Sequence, residues 1–138
     1  MSIRVLGIDT SLRATGVGII ECSDGRLRGL GFDVLRNPAS RPLAACLLHL
    51  QRELTAVLAE YKPDVAAIEG VFYARYARTA LLLGHARGVA IAACAAAGAN
   101  LFVAGSSLFK AADMAAAIAA MRAAAEQARE EGAGGHGG

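Results

Sequence analysis

Two apolar runs, each closing on an acid, constrain this chain more than any other feature: I-R-V-L-G-I-D ends at Asp9 and D-V-A-A-I-E ends at Glu69. Both runs read as buried strands. A carboxylate closing such a strand is costly to take out of water unless it is paired, hydrogen-bonded or set beside a cation. Taken singly, Asp9 fits a turn-forming position ahead of Thr10 and Ser11, and Glu69 fits an exposed strand end. Taken together, the two endings are explained at once by a shared cation, and hard oxygen ligands select Mg²⁺ or Mn²⁺.

The order of patterns along the chain decides whether these two ends meet. Strand patterns cover 3–9, 15–21 and 29–35, and the turn signal S-D-G at 23–25 joins the last two into an antiparallel meander. After Pro38 and Pro42, the segment 43–61 carries apolar residues at helical spacing, and Lys62-Pro63 ends it. The short apolar run 65–68 follows, which a right-handed crossover places parallel to an earlier strand. If that neighbour is the first strand, Asp9 and Glu69 end side by side. A helix is predicted over 74–97, with Gly84 and Gly88 giving it a small surface and Gly98 capping it. A last short strand at 101–103 precedes a helix beginning at Ser106 or Ser107 and running to about 129. Residues 1–130 read as a single domain, and the tail 131–138 has no apolar content beyond alanine and glycine and is expected to be disordered.

Composition narrows the class. At 138 residues the chain fits the ~100 to 200 residue range of one domain. Its 55% hydrophobic content and mean hydropathy of +0.42 supply a core, although much of the excess is alanine. No apolar run reaches ~18 residues without a charge, and the N-terminus enters a strand pattern at once. Cytoplasmic residence is the expectation, with no membrane partner. Cys22, Cys46 and Cys94 lack C-x-x-C spacing and sit in apolar segments, as small buried thiols do. A net charge of +2 and a pI of about 8.6 fall below the ~9 that marks a nucleic-acid-binding domain by composition. Distribution says more, because Arg75, Arg78 and Arg87 gather after Glu69 while Glu126, Glu130 and Glu131 lie near the C-terminus.

The stretch E-G-V-F-Y-A-R-Y-A-R-T-A-L-L-L-G-H-A-R-G-V-A-I, 69–91, closely resembles the signature of RuvC-type crossover junction endodeoxyribonucleases, which cut Holliday junctions. The opening G-I-D-T-S-L-R-A-T-G-V-G-I-I, 7–20, resembles that family's first hairpin, with Thr10-Ser11 standing where the family usually has Pro-Gly. The resemblance extends to about Lys110. It implies an α/β, ribonuclease-H-like mixed five-stranded sheet flanked by helices. It also implies a homodimer acting on four-way junction DNA with Mg²⁺ (or Mn²⁺), and a branch-migration complex as a further partner. Asp9 and Glu69 would be catalytic metal ligands. Phe72 would insert near the junction centre, and Tyr73 would stack on an unpaired base or pack into the core. Arg75, Arg78 and Arg87 would contact phosphates, their alternative being a solvated helix face.

Beyond that point the chain departs from the resembled pattern. The family completes its site with two residues on a last helix, in a pattern like D-x-x-D-A-L-A. Read without a gap, N-L-F-V-A-G-S-S-L-F-K makes Lys110 a DNA-contacting lysine and leaves Asp113 unassigned. Read with a deletion, K-A-A-D-M-A-A-A-I-A sets Asp113 on the last catalytic acid and Lys110 where the other acid stands. Either way at least one usual acid is missing, which keeps open a junction-binding pseudoenzyme of the same fold. His49 and His85 read as helix-surface or interface residues.

Overall fold

The structure, a computed structural model, describes residues 1–69 and 76–104, with the side chains of 69 and 101–104 excepted. Elements follow as β1 (Ser2–Asp9), β2 (Ala14–Ser23), β3 (Arg26–Arg36), α1 (Leu43–Tyr61), β4 (Val65–Glu69), α2 (Ala77–Ala96) and β5 (Asn100–Ala104). They build one sheet ordered β3-β2-β1-β4-β5, antiparallel across β1, β2 and β3 and parallel from β1 through β4 to β5.

The β2–β3 hairpin is set by its turn. Asp24 and Gly25 both take positive φ, 51° and 75°, as a two-residue turn matched to right-twisted strands requires. The ladder therefore closes up to Ser23–Arg26, and both strands run longer than the sequence pattern predicts. One irregularity interrupts β2 and β3 at Ile19/Ile20, where an extra residue enters β3.

Strand alternation then sorts the sheet into two faces. Leu6, Ile8, Val17, Ile19, Leu35 and Ile68 lie on one, buried against both helices. Helix α1 meets them with Leu50, Leu54 and Leu58, a stripe at i, i+4 and i+8. Helix α2 meets them with Ala86, Ala90, Ala93 and Cys94, so alanine brings the helix close to the sheet instead of filling a gap. Burial pushes the Cys94 thiol up to about 11, which keeps it protonated and inert. Val5, Val65 and Ala67 are buried on the opposite face.

Helix ends follow local chemistry. Lys62 closes α1 in the left-handed conformation, φ 46°, its N–H bonded to the Leu58 carbonyl at 2.9 Å. Gly98, φ 77°, closes α2 in a Schellman arrangement, with Ala99 N–H donating to the Cys94 carbonyl and Gly98 N–H to that of Ala95. At its start α2 differs from the 74–97 expectation. Tyr76 is extended, φ −119° and ψ 138°, so the helix begins at Ala77. Gly84 and Gly88 sit on the side of α2 turned away from the core, where a Cβ would meet nothing within 4 Å. By length and composition alone, α2 is apolar enough to cross a membrane, at 20 residues and a mean hydropathy of 1.4. Its alanine side packs into the core described above. The expected helix after Ser106 or Ser107 and the tail lie outside the described residues.

Candidate active site

The parallel register of β1 and β4 aligns Val5 with Val65 and continues to Ile8 with Ile68. One step further sets position 69 beside position 9, on the face opposite the helices. This is the juxtaposition that the two acid-ended runs predict. The alignment is fixed at the other end by Asp64. Its backbone N–H donates to the Arg4 carbonyl at 2.9 Å, its carboxylate accepts from Arg4 N–H, and its carbonyl accepts from Asn100 N–H. One residue thereby starts β4 and β5 level with β1.

Asp9 is exposed, and its carboxylate has no hydrogen-bond or ion-pair partner among the described residues. Across the ladder it faces Gly16, whose added Cβ would touch the Asp9 side chain at 3.8 Å. A small residue there leaves the carboxylate room on that flank. The loop leaving Asp9 is held from several directions. Thr15, fully buried, donates its hydroxyl to the Ser11 carbonyl at 2.6 Å and accepts from Ser11 N–H at 3.2 Å. The Thr10-Ser11 departure therefore yields an ordered turn by other means. Asn37, also buried, donates its side-chain amide to the Leu12 and Cys46 carbonyls, accepts from Arg41, and donates its own N–H to the Arg13 carbonyl. Arg13 adds bonds to the Pro38 and Arg41 carbonyls and to Cys46 Sγ. Cys46 thus belongs to a polar knot, where sequence alone reads a small apolar thiol. Neither Asn37 nor Thr15 carries a sequence signal for this work, because their partners come from separate segments.

The remaining site candidates separate. Arg78 is exposed near the start of α2, and Arg87 is half-buried nine residues on. Nine residues of α-helix turn through about 180° and rise roughly 13 Å, so the two do not share one phosphate-binding face. His85 is exposed and His49 half-buried on their helices. Phe72, Tyr73 and Arg75, and Lys110 and Asp113 further on, lie outside the described residues. Among the described residues no three His, Cys, Asp or Glu side chains converge as a metal-binding group. Asp9 together with Glu69 makes two acids, and an exposed carboxylate with no cationic partner among the described residues fits a divalent ion as its counter-charge.

A mixed sheet of this order, with the helices stacked on one face and two acids ending its central parallel strands, defines the ribonuclease-H-like class. The family model for "Crossover junction endodeoxyribonuclease RuvC" matches residues 5–128. The chain belongs to the RuvC family. It is 48% identical over 99 residues to the crossover junction endodeoxyribonuclease RuvC of Myxococcus xanthus, covering 72% of this chain and 52% of that protein. With the RuvC of Acidobacterium capsulatum it shares 44% over 102 residues, 69% of this chain and 60% of that one. The chain thus spans little more than half the length of these relatives. Among solved structures, Thermus thermophilus RuvC in complex with a Holliday junction substrate superposes with a TM-score of 0.69 at 23% identity, over 75% of this chain and 64% of that one. The yeast mitochondrial Holliday junction resolvase follows at 0.59 and 12% identity, over 93% and 63%. Both likenesses concern the fold.

Proposed function

We propose that this chain is a metal-dependent endonuclease that resolves four-way DNA junctions in recombination and repair. The observation that carries the reading is the β1–β4 register, which sets Glu69 beside an Asp9 carboxylate that has no cationic partner among the described residues. Family membership supports the substrate class, since the M. xanthus relative is named a crossover junction endodeoxyribonuclease.

Asp9, Glu69 and Asp113 would hold Mg²⁺, with Mn²⁺ as a substitute. A divalent ion there supplies Lewis-acid stabilisation of the charge that builds on the scissile phosphate. The protein's own part is placement. The backbone at Asp9 is held by a ladder pair on one flank and by the Thr15 and Asn37 bonds of the loop that follows, so the base of its side chain is fixed where a phosphate would approach over Gly16. In this reading Phe72 and Tyr73 contact unpaired bases at the junction centre, and Arg75, Arg78, Arg87 and Lys110 contact phosphates. On opposed sides of α2, Arg78 and Arg87 would meet different strands of the junction. Two symmetric cuts call for a homodimer, delivered to junctions by a branch-migration complex in the cytoplasm.

A second reading is a junction-binding protein that has lost cleavage, favoured by Lys110, which stands where an acid is usual when Asp113 is aligned with the last catalytic acid. One experiment separates the two. A labelled four-way junction is incubated with the protein in Mg²⁺, Mn²⁺ or EDTA, with Asp9→Asn as control. Metal-dependent paired nicks that disappear in Asp9→Asn, with thermal stability retained, are expected. Tight binding without nicks in any metal supports the second reading, and equal affinity for plain duplex rejects both.

A further inference from the structure

Phe32 is 90% exposed, in a strand whose apolar pattern predicts burial. The ladder says where that ring sits. Position 32 pairs with Gly18, which pairs with Gly7, and position 34 pairs with Gly16, which pairs with Asp9. Phe32 and Val34 therefore lie on the face of the sheet that carries Asp9, two strands away, and alternation adds Arg36 to the same row. Two strand spacings are roughly 10 Å. Between Asp9 and this row the floor is glycine. Among the described residues, a Cβ at Gly18 would meet nothing within 4 Å and one at Gly16 would meet only the Asp9 side chain, so no described side chain stands in the path. Leu27, half exposed, falls on the same face farther along β3.

Single exposed apolar residues are ordinary, but here the exposed large apolar side chains of β3, Leu27, Phe32 and Val34, share one face, end beside a cation and adjoin the proposed catalytic acid. We infer that the outer face of β3, with Phe32, Val34 and Arg36, is a second DNA-contact ledge that guides a junction strand across Gly18 and Gly16 to Asp9. This rests on the junction-endonuclease reading above. Arg36 is exposed and takes a backbone phosphate, while Phe32 offers a ring to an unstacked base or a deoxyribose. Continuity with Asp9 and the positive charge at the end of the row select DNA as the occupant over a second copy of the chain. This site is distinct from the aromatic and basic residues that follow Glu69. Those follow β4 in the chain, and this ledge lies on the β2–β3 side of the sheet.

The test uses the full 138-residue chain and a four-way DNA junction, with binding measured in EDTA at several salt concentrations. Phe32→Ala and Arg36→Gln are compared with Leu48→Ala and Arg52→Gln, matched changes at exposed positions of α1. Phe32→Ala should weaken junction binding about fivefold or more without changing the salt slope. Arg36→Gln should lower the slope of log K against log salt by about 1. The α1 variants should bind as wild type, and all four should keep its melting temperature and sedimentation. If wild type cuts junctions and Asp9→Asn does not, yet both β3 variants bind as wild type, the ledge is wrong and the endonuclease reading stands. Wild type that ignores junctions overturns both. A change in oligomeric state in Phe32→Ala hands this face to a second copy of the chain and overturns the ledge.

Discussion

The two ends of β1 treat charge in opposite ways. At its start, Arg4 is saturated: its guanidinium donates to Glu21 at 2.9 Å and to the last carbonyl of α1, Tyr61, at 2.9 Å. Arg28 adds a second bond to Glu21 at 3.1 Å. At its finish, Asp9 has no such partner among the described residues. Four residues of one strand separate a charge that fastens the fold from a carboxylate that no described residue pairs. Paired charges in a sheet report on architecture, and a solitary carboxylate on a buried strand's last residue reports on chemistry.

Three substitutions sharpen that contrast. The largest effect is expected at Asn37, the hub behind Asp9. Asn37→Leu leaves the Leu12 and Cys46 carbonyls without their donor, and urea unfolding should show a loss of about 2 to 3 kcal/mol. If stability is unchanged, the loop after Asp9 is not held by this residue, and the placement argued for the carboxylate fails.

An intermediate effect belongs to the opposite end. Arg4→Met removes the donor to the Tyr61 carbonyl and should cost about 1 kcal/mol at neutral pH. It should also change the acid limb. The Arg4 hydrogen bond, followed by Arg28, holds the Glu21 carboxyl below its ordinary value of 4.5. A depressed folded pKa gives stability that is present above 4.5 and lost as the pH falls below it. Wild type should therefore lose stability steeply in that range, and Arg4→Met more gently. Parallel acid limbs would show that the pair contributes nothing in solution.

The smallest effect is a gain. Lys62 occupies a left-handed position that glycine adopts without a side-chain clash, so Lys62→Gly should raise the melting temperature slightly, equivalent to about 0.5 kcal/mol. A lower melting temperature would mean that the lysine stem packs on α1.

What could be read before the structure follows the same division. Asp9, Glu69, the Asp24-Gly25 turn and the stripe of α1 announce themselves within a few residues of chain, and the register brings the first two together as their patterns require. The Arg4–Glu21 pair spans 17 residues, the Arg4–Tyr61 contact 57, and the Asn37–Leu12 contact 25. No local pattern encodes those. Phe32 was opaque for a related reason. An apolar strand residue reads as buried, and only the position of β3 at the rim of the sheet leaves its ring outside. The opposed directions of Arg78 and Arg87, by contrast, follow from their nine-residue spacing once both lie within α2.

The irregularity between Ile19 and Ile20 bears on more than local geometry. Strand β3 forms one rim of the sheet for 11 residues, long enough to template another chain through its free N–H and C=O groups. The extra residue breaks the rim's hydrogen-bonding rhythm, and Arg26, Arg28, Asp33 and Arg36 place charge along it. Zippering of neighbouring molecules is thereby discouraged at a strand that exposes an aromatic ring. A protein built this way tolerates a bare phenylalanine without becoming a seed for aggregation, so the ring stays open to a passing ligand.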